Sequence, residues 1–101
     1  MKALLINPEA QTIESIDIAT IDDIKKYIGF DTIISDGIGP QGDRLYFDEE
    51  CFLRGTSGRF QIDNVVPVSG FGIIMNSPDD GSTLNDVISD VDSITQRTKY
   101  L

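Results

Sequence analysis

Three groups of residues in this 101-residue chain have chemistry to offer. Its carboxylates are abundant, seventeen Asp and Glu against eight Lys and Arg, with no histidine beside them. The segment Arg54-Gly55-Thr56-Ser57-Gly58-Arg59 sets two guanidinium groups around small hydroxyl residues. The third is a single cysteine, Cys51. Without histidine, serine triads and cysteine–histidine pairs in their usual form are excluded. Histidine-based metal sites go with them, and one cysteine cannot build a structural zinc site. The sequence therefore assigns no catalytic residue, no metal and no cofactor, and the chain is expected not to be an enzyme.

The carboxylates point to partner binding. Asp48-Glu49-Glu50 and Asp79-Asp80 do not match the spacing of a calcium loop, and adjacent acids in turns are ordinarily solvated. Asp79 and Asp80 precede an expected closing helix on which Asp86 and Asp90 stand one i,i+4 step apart, about 6 Å along the axis. These four, Asp79, Asp80, Asp86 and Asp90, are the candidate partner-binding residues, and a basic patch on another protein is the matching surface. Duplex DNA carries one charge about every 1.7 Å of axis, so such a row is too sparse to mimic it. The alternative is a solvated acidic surface with no partner. The net charge of −9 disfavours direct binding to nucleic acid or an anionic membrane, since both reward Lys and Arg.

The arginine segment carries the second functional reading, a small-ligand or anion-binding domain. Arg54, Thr56, Ser57 and Arg59 could hold an anion through guanidinium groups, hydroxyls and loop amides. The Gly-rich stretch 36–43 could add to it. That stretch matches neither G-x-x-x-x-G-K-[ST] nor G-x-G-x-x-G, and a strand follows where those motifs require a helix. The competing reading is ordinary turn chemistry with arginines balancing nearby acids. Cys51 lies beside Phe52 and Leu53 and is expected to be a small buried hydrophobe.

Local pattern supplies the elements that would position these residues. Lys2–Ile6 and Thr12–Ile18 form an expected N-terminal hairpin across the turn signal Asn7-Pro8. Ile13 falls out of phase with Ile16 and Ile18, which predicts a bulge or a late strand start. The first helix is expected over about 21–28. Thr20 and Asp23 supply a capping box, Lys25 and Lys26 occupy its last turn, and Gly29 follows as the C-terminal glycine. Phe30–Ser35, Arg44–Phe47, Cys51–Arg54, Phe60–Ile62, Val65–Val68 and Phe71–Met75 read as extended segments. A second helix is expected over about 84–99, with Thr83 and Asp86 as its capping box. Leu84, Val87, Ile88, Val91 and Ile94 form its apolar stripe. Ile21, Ile24 and Ile28 play the same part in the first helix.

The order ββαβ, a run of short strands and a closing helix predicts an α+β fold, one largely antiparallel sheet with both helices packed on it. The length suits a single domain spanning 1–101, and 40% hydrophobic composition is that of a globular chain. The N-terminus lacks the apolar run of a secretory signal or a membrane-spanning helix. With one unpaired cysteine, the expected location is cytoplasmic.

Met1-Lys2-Ala3-Leu4-Leu5-Ile6-Asn7-Pro8, the helix closing in Tyr27-Ile28-Gly29 and the stretch Val66-Pro67-Val68-Ser69-Gly70-Phe71-Gly72-Ile73-Ile74 resemble a family. Its members are small uncharacterised bacterial, plasmid and phage proteins that open with Met-[Arg/Lys]-Ala-Leu-[Val/Leu]-Ile-[Asp/Asn]-Pro. The resemblance covers about residues 1–76 and carries no catalytic residue. It implies a mobile-element setting, in which a small acidic accessory protein acts by binding a host protein.

Overall fold

The computed structural model describes residues 1–101. Its strands are Lys2–Asn7 (β1), Thr12–Asp17 (β2), Ile33–Gly37 (β3), Asp43–Asp48 (β4), Arg59–Ile62 (β5), Val68–Ser69 (β6), Gly72–Asn76 (β7) and Thr98–Tyr100 (β8). Its helices are Ile21–Ile28 (α1) and Val91–Arg97 (α2), with a 3-10 turn at Cys51–Leu53. The α+β class expected from the sequence is the class observed. The expected single sheet is instead two, one in the order β2-β1-β7-β4-β3 and a smaller one in the order β6-β5-β8, both antiparallel throughout. No helix is long and apolar enough to cross a membrane.

The five-stranded sheet is buried on both faces. Side chains alternate across a strand, so Ala3, Leu5, Tyr46, Ile73 and Met75 share one core with Ile24 and Ile28 of α1. Leu4, Ile6, Leu45, Phe47 and Ile74 share the other with Phe60, Ile62 and Val68 of the small sheet and Ile94 of α2. This explains Ile13. The β1–β2 register runs unbroken from Lys2 opposite Asp17 to Asn7 opposite Thr12, with no bulge and no late start. Ile13 lies opposite Ile6 on one face and Ile16 opposite Ala3 on the other.

Helix α1 forms where expected because its signals are local. The Asp23 carboxylate accepts from the N–H groups of Ala19 and Thr20, which holds its pKa below the ordinary value. Gly29, at φ +91°, closes the helix by donating its N–H to the Lys25 carbonyl. Ile24 and Ile28 are buried, whereas Ile21 remains 40% exposed on the first turn.

The second half of the chain corrects several expectations. Cys51–Leu53 is a 3-10 turn and not a returning strand, and of the expected 65–68 strand only Val68 pairs, together with Ser69 beyond it. β3 starts at Ile33, later than the expected Phe30. The closing helix spans Val91–Arg97 in place of 84–99, because the backbone before it is committed elsewhere. Asn85 pairs with Asn76 in both directions, Val87 donates to the Lys2 carbonyl, and Ile88 and Ser89 donate to the Asp43 carboxylate. With those donors engaged, no i→i−4 ladder can form. Asp90 caps α2 instead of Thr83, accepting from Ser93 N–H at 2.7 Å. Of the expected stripe Ile94 is buried, Leu84, Val87 and Val91 are half-buried, and Ile88 is exposed.

Candidate functional site

The four aspartates singled out from the sequence lie on a surface segment pinned to the sheet, not along one helix. Asp79 builds its own turn, accepting from the hydroxyls of Thr83 at 2.6 Å and Ser77 at 2.7 Å and from the Gly81 and Thr83 N–H groups. Those donors hold its carboxyl far below the ordinary range. Buried Tyr46 clamps the same turn by donating its hydroxyl to the Gly81 carbonyl at 2.8 Å. Asp80 accepts from Ser82 N–H, and Asp86 accepts from Lys2 N–H at 2.8 Å. Asp86 and Asp90 are joined by non-helical chain with a bend at Ser89, so they are not one helical turn apart on a common face. No Lys or Arg occurs between Phe60 and Gln96. The ion pairs in the molecule involve only Asp48, Glu50 and Asp63, so fourteen of the seventeen carboxylates have no cationic side chain against them. Asp79, Asp80, Asp86 and Asp90 are all among the fourteen.

The arginine segment is organised differently. Arg54 pairs with Asp48 at 2.9 Å and with Glu50 at 3.2 Å, and its guanidinium lies 4.4 Å from the centre of the Phe30 ring. The hydrogen bond to Asp48 raises the Arg54 pKa. Arg59 lies over the Phe52 ring at 5.2 Å, with no acid in contact. Thr56 and Ser69 join hydroxyl to hydroxyl at 3.0 Å, while Ser57 is exposed. The loops 36–43 and 54–59 lie at opposite ends of β4, so the structure does not bring them to one site.

A cavity of about 300 Å³ opens at the end of the sheet where β1 and β4 finish and β7 begins. Pro8, Ile28, Phe30 and Phe71 give it apolar walls, and Thr56, Ser57, Ser69 and Asn7 give it polar ones. Glu9 and Asp48 are the only ionisable residues in the lining. Burial would push the Asp48 carboxyl up, yet donation from the Thr32 hydroxyl, Arg54 and the Glu50 N–H outweighs it and the pKa is lowered. Asp48 is thus neutralised, and Glu9 is left as the unpaired charge.

Two glycines make the cavity's frame. At Gly58, φ +81°, a Cβ would come 2.6 Å from the Glu9 nitrogen, so only glycine lets this loop lie against the β1–β2 turn. Gly70, φ +84°, donates to the Gly58 carbonyl at 3.1 Å, and its own Cβ would meet the Thr56 hydroxyl at 3.2 Å. Sequence reasoning marked Gly58 as a turn residue but could not see what it approaches. It also missed Glu9 and Phe71, whose only local signals are a turn after Asn7-Pro8 and a ring between two glycines. Cys51 is buried as expected and its sulfur accepts from Ser69 N–H at 3.4 Å. No three His, Cys, Asp or Glu side chains converge where a metal ion could sit. No family model, curated protein or solved structure shows a significant match to the chain.

Proposed function

We propose that the chain is a non-enzymatic protein-interaction module, acting in the cytoplasm, that binds a basic patch on a partner protein through residues 79–92. The carrying observation is the conformation of that segment. Its backbone is fixed to Lys2, Asp43 and Asn76, so Asp80, Asp86, Asp90 and Asp92 are displayed on an ordered strip with no cation beside them. Ile88, 56% exposed, stands among them and offers an apolar contact. An ordered row of unneutralised charge favours fast, salt-sensitive association with a basic surface. The mobile-element setting that the resemblance implies would make that partner a host protein.

The test uses affinity capture from bacterial lysate at low and high salt, with wild-type chain beside the Asp80→Asn/Asp86→Asn/Asp90→Asn variant. Asparagine keeps the backbone hydrogen bonds and removes the charge. A partner retained by the wild type should associate about tenfold more slowly with the variant, with a shallower salt dependence. Equal rates and equal salt dependence for both proteins would reduce the strip to a solvated surface.

A further inference from the structure

The cavity at the end of the sheet is separate from the acidic strip and has its own chemistry. It is a half-open pocket with aromatic and aliphatic side chains on part of its wall, and such pockets hold ligands by apolar contact with a few polar groups fixing orientation. Its electrostatics choose the sign of the ligand. No Lys or Arg lines it, Asp48 is already neutralised by Arg54, and Glu9 carries the one free charge. Glu9, Asn7 and Phe71 also line a shallow depression alongside, so an acidic residue and an aromatic one border the same mouth. Phe71 is 36% exposed, and an aromatic face attracts a cation that approaches it. The hydroxyls of Thr56, Ser57 and Ser69 and the Asn7 amide add acceptors, which an N–H donor can use.

We propose that this cavity binds an ammonium group carried on a short apolar stem, the stem lying along Pro8, Phe30 and Phe71 and the charge meeting Glu9. The site is preformed. The contacts of Gly58 with the β1–β2 turn and of Gly70 with Thr56 hold three loops at fixed separation before any ligand arrives, which lowers the entropic cost of binding. The same chemistry could arrive as a free alkylamine or as the lysine side chain of another protein.

Titration of the ¹⁵N-labelled chain at neutral pH and low salt, followed by amide chemical shifts, tests the assignment. The probes are n-butylammonium, its neutral and anionic counterparts n-butanol and butyrate, and Nα-acetyl-lysine amide. Saturable shifts confined to Glu9, Thr56, Ser57, Gly70 and Phe71 are expected with n-butylammonium and not with butyrate. Glu9→Gln should weaken the interaction about fivefold, and Phe71→Ala should weaken it while the remaining spectrum stays in place. Tighter binding of the blocked lysine would assign a protein side chain as the source, and tighter binding of butylammonium a free amine. Equal affinity for n-butanol, an unaffected Glu9→Gln variant, or the absence of saturable shifts at these amides would overturn the proposal.

Discussion

β4 begins and ends on a buried aspartate, and the two ends hold different things. Asp43 and Asp48 are each about 2% exposed, and both have pKa values below the ordinary carboxylate value. At Asp48 an arginine six residues away supplies a cation, and the result is local order in the 3-10 turn that follows. At Asp43 no cation touches the carboxylate. Burial would raise its pKa, but the Ser89 hydroxyl, the Ile88 and Ser89 N–H groups and the Asn76 amide outweigh that effect. Two of those donor residues come from 45 and 46 positions along the chain. An ion pair there would have neutralised the strip's surroundings. Neutral donors instead anchor the strip and leave its own carboxylates charged.

Of the two ends of β4, the one at Asp43 should be the more sensitive to loss of its carboxylate. Asp43→Ala removes the acceptor for several buried donors and should cost about 3 kcal/mol of stability in urea unfolding. Hydrogen exchange at the Ile88 and Ser89 amides should approach unfolded-like rates while the β4 ladder stays protected. Protected amides at both positions would mean that something other than Asp43 holds the segment.

Asp48→Ala should cost less, about 2 kcal/mol, because Arg54 can turn to solvent or to Glu50. Its exchange effects should be confined to residues near Thr32 and Glu50. A loss of protection at Ile88 in this variant would show that the two ends are coupled.

Acid should act on both ends with the same sign. Each folded-state pKa is depressed, so the unfolded chain takes up protons first as pH falls. The contribution is complete above about pH 5 and is lost progressively below it, through the ordinary value near 4 and on to the lower folded value. Urea midpoints measured from pH 7 to pH 3 should therefore be flat and then drop. Asp43→Asn should flatten that drop, and an unchanged acid limb would remove Asp43 from the account.

The smallest effect belongs to the displayed acids. Asp86→Asn and Asp90→Asn keep their acceptor oxygens, including the cap on α2, and should alter stability by no more than about 0.5 kcal/mol. A larger loss would make these aspartates structural and weaken the case for a binding strip.

What was legible in the sequence is what is local. The N-terminal hairpin and α1 could be read because their turn, cap, stripe and terminal glycine all act within a few residues of one another. Cys51 could be placed inside because a lone cysteine among Phe and Leu gains most as a small hydrophobe. The end-of-sheet cavity was hidden, because its walls come from the β1–β2 turn, the end of α1 and two later loops.

The sequence alone determined the class of fold, the excess of negative charge and the absence of histidine chemistry. Tertiary structure decided the rest, and residues 84–90 show why. Their helical stripe and their Thr83/Asp86 capping pattern are real features of the sequence, and each is worth only about a kilocalorie per mole. Packing placed the Lys2 carbonyl, the Asn76 backbone and the buried Asp43 carboxylate within reach of the same N–H groups. A buried carboxylate left without donors costs more than a helical turn returns, so the segment stays out of the helix.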